Sequence, residues 1–353
     1  MIAQRNGFVK RFSAPVYKGG KRCYNSGEKD RVRLTERRFM QTVFFLTLQK
    51  VGVLLIFFAV GYLLRTGKLL GEGSERVLGI LCTQVFLPAF TFRQLAANVT
   101  PDNLREDGTL ALAGALWLAG AIPFAYLCRR LLGKTPEEKA ALTYLFTFSN
   151  YGYFGYPVVA GVFGDAVLGK MILFLVPFSI ALNSFGYALF LPRGGGAREL
   201  LLKLLKTPVL WFIFAGIAVG LLRIKLPGVV RDVVEGAGGC MSPGSMLLAG
   251  MALAKFPLKE MVRGKKGYLV VAIRMLGMPL LGLGICLLLG LKGYYLLFPL
   301  VMLAMPLPLN IVIFPESHGQ DASDSARMVC QSTVLALATL PPLFALFFHL
   351  SGM

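Results

Sequence analysis

Residues 294–315 read YYLLFPLVMLAMPLPLNIVIFP, an apolar stretch interrupted in its middle by Met305-Pro306-Leu307-Pro308-Leu309-Asn310. A helix needs about 20 predominantly apolar residues to cross a bilayer. An interior proline removes a backbone donor and clashes with the carbonyl one turn earlier, at about 3 kcal/mol. In lipid the freed carbonyls have no water to turn to, so the break has to face protein or a wet cavity. These residues therefore read as a span that stops and restarts inside a membrane, and the remainder of the chain has to supply what surrounds the gap.

The remainder has the right character. Of 353 residues, 56% are hydrophobic and 16% charged, against about 25% charged in an ordinary soluble domain. Charges cluster between long charge-free stretches, and those stretches lack the period-2 alternation of a β-barrel. The expected fold is an all-α membrane protein of ten transmembrane helices, at 42–64, 77–97, 108–132, 140–163, 166–191, 208–222, 229–254, 268–289, 294–315 and 322–350. In domain terms this means a basic extension at 1–39, a first five-helix repeat at 40–192, a short cytoplasmic loop at 193–207 and a second five-helix repeat at 208–353.

A net charge of +19 would suggest nucleic acid in a soluble protein. Here the basic residues fall in short loops, where they set orientation. Seventeen Lys and Arg lie in one set of alternate loops and six in the other, the N-terminal extension left aside. The richer set is expected in the cytoplasm, with both termini outside the cell membrane. The extension carries eleven Lys and Arg against three acids and would then lie on the wrong side. Met40 is accordingly expected to be the native first residue, with a disordered basic tail as the alternative. The six cysteines form no CxxC pair and read as small buried hydrophobes. Nothing implies a cofactor, a metal or a nucleic-acid partner.

The two halves resemble each other in order. Pro88 in VFLPAFTF answers Pro243 in CMSPGSML, each in the second span of its half. The fourth span of each half is interrupted, from Ser149-Asn150-Tyr151-Gly152 through Gly155-Tyr156-Pro157 in one and at 305–310 in the other. With five spans per half, the second half enters from the opposite side, which makes the repeats inverted. Paired interrupted helices in such proteins cross near the midplane, where half-helix N-termini present free N–H groups and positive dipole ends to an anion. Asn150, Tyr151, Gly152 and Asn310 fall at the breaks, and Asn183 in the fifth span would cost energy facing lipid. Either these asparagines bind substrate or they tie off open backbone groups.

Charges inside spans are few. Lys50, Arg93 and Arg274 read as snorkelling side chains, Arg274 toward the cytoplasmic surface. Glu316, His318 and Asp321 lie beyond the second break as candidates for proton coupling, or as a solvated loop cluster. An intramembrane enzyme would need paired acids and histidines facing a cavity. The two histidines, His318 and His349, stand 31 residues apart with no midplane acid. No GxxxxGK[ST] loop for ATP is present.

FSNYGYFGYPVVAGVFGDA resembles the fourth-helix signature of the auxin efflux carrier family, and MPLPLNIVIFPESHG its ninth-helix crossover. LPAFTFRQLA and LKTPVLWFIFAGIAVGLLRIKLPG resemble its second and sixth helices. The resemblance implies ten helices in two inverted repeats, a scaffold part that forms homodimers, and elevator-like alternating access. It also implies a small organic anion as substrate: plant members export auxin, and bacterial members resemble malate and malonate permeases. Pro157 and Pro306, with Pro308, would be crossover prolines, and Asn150 and Asn310 polar groups of the substrate region. Pro157 follows its asparagine whereas Pro306 precedes its own. The short loop at 192–207 matches the compact bacterial type.

Overall fold

The computed structural model describes residues 26–190, 202, 205–317 and 319–352, among which there is no strand. Six helices are long and apolar enough to cross a membrane. They lie within α1 (Ser26–Thr66), α2 (Ser74–Asn98), α3 (Leu104–Leu132), α6 (Asp165–Gly186), α10 (Lys265–Leu288) and α13 (Ser323–Ser351). Between them come α4 (Pro136–Thr147), α5 (Tyr156–Phe163), α7 (Pro208–Leu221), α8 (Gly228–Gly239), α9 (Met241–Leu253), α11 (Tyr294–Ala304) and α12 (Asn310–Ser317). Helix α1 begins at Ser26, so its first turns fall in the stretch read above as a basic extension.

Proline shapes several of these helices without ending them. Wide π turns occur at Cys82–Phe86, Tyr151–Gly155, Leu182–Gly186 and Ile273–Gly277. After three of the four, the second residue is a proline: Pro88, Pro157 and Pro279. The pairing has a steric cause. A proline ring collides with the carbonyl four residues back in a regular α-helix, and a turn widened by one residue moves that carbonyl aside.

Two groups of helices are evident in the packing. Helix α1 lies against α9, and α2 against α7 and α8. Helix α3 lies against α4 and α6, while α10, α11 and α13 pack on one another. The groups meet along α1 and α13 and along α2 and α6. The α1–α9 contact is the closest kind two helices can make. A Cβ at Gly61 would strike the Leu247 backbone, and one at Gly250 the backbone of Phe58 and Tyr62. Small residues at such crossings let backbones touch, which is how helices associate where no hydrophobic gain is on offer.

The large buried side chains gather around the interrupted helices, among them Tyr144, Phe146, Phe148, Phe154 and Tyr156. On the outside, Phe45, Ile56, Leu63, Trp211, Phe214, Val233 and Leu288 are exposed. An apolar surface that broad belongs in lipid.

Gly250→Val should therefore overpack a backbone contact that cannot yield, costing about 1–3 kcal/mol. Thermal unfolding in detergent should show a lowered Tm. Gly52→Ala, where a Cβ meets nothing within 4 Å, serves as the comparison and should leave Tm unchanged or raise it slightly.

Candidate functional site

The first interruption is narrower than its sequence suggests. Helix α4 ends at Thr147, Phe148 turns to extended backbone (φ −115°, ψ 161°), and helical turns resume at Tyr151. The gap is Phe148-Ser149-Asn150. Pro157 does not break the chain, because the π turn at Tyr151–Gly155 absorbs it and it lies in the first turn of α5. The second interruption matches the sequence more closely. Helix α11 ends at Ala304, Met305 is extended (φ −61°, ψ 150°), and α12 starts at Asn310. Pro306 and Pro308 stand inside this gap.

The two gaps touch. The Asn150 N–H donates to the Pro306 carbonyl at 2.9 Å. The Asn150 carbonyl in turn accepts from the N–H groups of Phe154 (3.1 Å) and Gly155 (2.9 Å), starting the next helical segment. Leu307 N–H donates to Ser332 Oγ on α13 at 3.1 Å. Asn310 Nδ2 donates to the Tyr144 hydroxyl on α4 at 2.9 Å, tying the second restart to the first half-helix. A side chain at Gly155 would meet Met305, so glycine is what lets the second gap come this close.

A cavity of about 1300 Å³ opens on this junction. Asn150, Tyr151, Gly152, Asn183 and Asn310 all line it, as does Pro308, whereas Pro157 and Pro306 do not. The Tyr151 hydroxyl lies 3.4 Å from Ser179 Oγ, and Asn183 Nδ2 donates to the Ser179 carbonyl at 2.9 Å. Residues at the restarts of both half-helices thus line one space, together with the tyrosines Tyr151, Tyr153 and Tyr156 and the asparagines. At α12 the N–H groups of Ile311, Val312 and Ile313 already donate to the Pro308 and Leu309 carbonyls, so what the restarts offer is the N-terminal end of the helix dipole, roughly half a positive charge. Such a surface favours an anion. The charged residues of the lining are Glu75, Arg76, Lys206, Lys255 and Glu316.

The three candidates for proton coupling part company. Glu316 lines the cavity, and Asp321 does not. The Ser323 hydroxyl and amide donate to the Asp321 carboxylate, hold its carboxyl below the usual range and tie down the start of α13. His318 lies outside the described residues. Among the described residues no group of His, Cys, Asp and Glu is placed to hold a metal ion.

Arg274 overturns its reading as a snorkelling side chain. It is fully buried, in the π turn Ile273–Gly277 of α10. Its Nε donates to the Leu145 carbonyl at 2.7 Å, one Nη to the Phe148 carbonyl at 3.3 Å, and the other Nη to the Leu303 carbonyl. Leu145 and Phe148 close α4, and Leu303 closes α11. One guanidinium thus caps the C-terminal ends of both half-helices that lead into the crossover. Arg93 and Lys50 behave more locally: the Arg93 guanidinium lies 5.6 Å from the Phe90 ring centre, and the Lys50 stem lies against Gly161. Tyr144, Ser179 and Ser332 also escaped sequence reading, since a single Tyr or Ser in an apolar helix has no spacing to mark it. Arg274 did carry a signal, because any charge within a membrane span is a functional suspect.

Arg274→Met should strand three buried carbonyls and cost about 3 kcal/mol or more, since each hydrogen bond to a charged group is worth about 1.5–3 kcal/mol. Arg274→Lys, with one point charge in place of a fork, should fall between it and wild type. Thermal unfolding of the purified proteins orders the three; equal Tm values would contradict the capping role.

The chain matches the membrane transport protein family over residues 46–344. It is 25% identical over 302 residues to an uncharacterized transporter of Methanothermobacter thermautotrophicus, covering 85% of this chain and 98% of that protein. A second uncharacterized transporter, from Methanocaldococcus jannaschii, is 23% identical over 295 residues, covering 82% and 95%. The apolar helices, the buried crossover and the match over most of its length lead to one conclusion: the chain is a multi-pass membrane transporter and belongs to the membrane transport protein family, that of the auxin efflux carriers.

Proposed function

We propose that this transporter is a secondary carrier for a small organic anion of carboxylate type, such as malate, malonate or an auxin-like acid, and that it works by alternating access. The observation that carries the proposal is the junction itself. Five polar or glycine positions from three parts of the chain, the two gaps and α6, line one cavity where two interrupted helices touch. Helix N-termini suit a carboxylate, and the neighbouring asparagines offer amide donors that carry no charge of their own.

The proposed topology has ten spans in two inverted repeats. Six are the long helices; the other four are α4 with α5, α7 alone, α8 with α9, and α11 with α12. Supporting this is the recurrence of interruptions. The second span of each half is disturbed just before its proline, by the π turn ahead of Pro88 and by the helix break at Cys240 ahead of Pro243. The fourth span of each half is broken at the crossover. The two helix groups are the natural moving and fixed parts of an elevator, with α1, α2, α7, α8 and α9 as the fixed part through which two copies would pair. Both termini are proposed to lie outside the cell membrane, and Glu316 is the proposed site of ion coupling.

Counterflow of labelled malate, malonate and indole acetate in proteoliposomes tests the substrate class, and one of them should show saturable exchange. Asn150→Ala and Asn310→Ala should each cut it about tenfold or more, because one hydrogen bond to a charged group is worth about 1.5–3 kcal/mol. Protein levels should stay equal. No saturable exchange of any organic anion would reject the substrate class. Normal exchange by both variants would reject the site. Concentrative uptake separates a carrier from a channel.

A further inference from the structure

Lys255 follows the end of α9 and points into the mouth of the cavity. Its Nζ lies 2.9 Å from Glu316 Oε2 and 3.3 Å from Glu75 Oε1. The two carboxylates belong to different parts of the molecule. Glu75 is in the first turn of α2, which packs against α9, so Lys255 and Glu75 travel together. Glu316 is on α12, which packs on α13 and α4 in the other helix group. The Lys255–Glu316 contact is therefore an ion pair across the boundary, and the Lys255–Glu75 contact is one within a group.

We propose that Lys255 is an ionic latch between the two helix groups, held by Glu316 in this conformation and passed to Glu75 when α12 moves away. The inference concerns motion rather than cargo and holds for whatever substrate the cavity admits. Its physical basis is the cost of stranding a charge. The side chains of Lys255, Glu75 and Glu316 are 33%, 14% and 26% exposed, so each has lost most of its water. Breaking a pair in such a place is costly when a charge is left alone, and less so for a cation that keeps a second partner. Glu75 is that second partner, and Arg65 Nε at 3.8 Å from its other oxygen keeps the carboxylate in place. Although partial burial works against the ammonium, Glu316 and Glu75 together raise the Lys255 pKa above its ordinary value. The latch is thus charged in this conformation. Without Glu75, separation would leave Lys255 unpaired, and the latch would hold harder.

The two glutamates therefore have opposite expected effects. Hydrogen exchange of the full-length protein in lipid nanodiscs, followed by mass spectrometry, reads them out on the amides of α12. Glu316→Gln should speed α12 exchange about tenfold, Lys255→Gln should do the same, and the double variant should be no faster than either alone. Glu75→Gln should slow α12 exchange below wild type. Exchange in α9 should be unchanged in all four, which separates release of the latch from general unfolding. Wild-type α12 exchange in Glu316→Gln, a shift of the same sign in Glu75→Gln, additive effects in the double variant, or faster exchange in α9 would each overturn the proposal.

Discussion

A helix interrupted inside an apolar core exposes carbonyls that neither water nor lipid can satisfy. Arg274 meets that constraint for both interruptions at once. Each half-helix C-terminus carries roughly half a negative charge, so the ends of α4 and α11 together balance about one guanidinium. That explains how a full positive charge is kept at 0% exposure with carbonyls as its hydrogen-bond partners. Once the C-terminal ends are held there, the restarts at Tyr151 and Asn310 are free to face the cavity. The polarity of the site follows: cation behind the crossover, helix N-termini and asparagines in front of it.

The rest of the molecule holds this junction in place. Proline is accommodated by widened turns at Pro88, Pro157 and Pro279, which bend helices without ending them. Glycines bring α1 and α9 into backbone contact and make one helix group compact. Between the groups, polar contacts join the apolar packing of α1 on α13. An ion pair joins Lys255, just past the end of α9, to Glu316 on α12, and Gln94 Nε2 on α2 donates to Asp165 of α6 at 3.0 Å. Polar contacts can be exchanged one for another; interlocked backbones cannot.

Much of this was legible in the chain because it is written in runs. Apolar stretches of membrane length, the gap at Met305–Leu309 and the asparagines beside both gaps follow from the chemistry of lipid. Pro157 misled, because a proline is read as a breaker when the backbone can instead widen by one residue. The true gap, Phe148-Ser149-Asn150, contains neither proline nor glycine, and its extended backbone depends on the contact with Pro306 from the other half. Arg274 was read by its distance along the chain from Lys266, eight residues away, which suggested a route to the surface. Its actual partners, Leu145, Phe148 and Leu303, are backbone groups from two other helices, and no sequence spacing encodes them. The Lys255–Glu316 pair was hidden for the same reason, being 61 residues apart.

The central claim is that the two interruptions meet inside the protein. A cysteine pair, Gly155→Cys with Met305→Cys, tests it most directly, since a side chain at Gly155 lies within contact distance of Met305. Mild oxidation in native membranes should join the two in an intramolecular disulfide, detected as an intact cross-link between peptides from the two halves. If both thiols remain free and accept maleimide under the same oxidation, the gaps do not meet and the account is wrong.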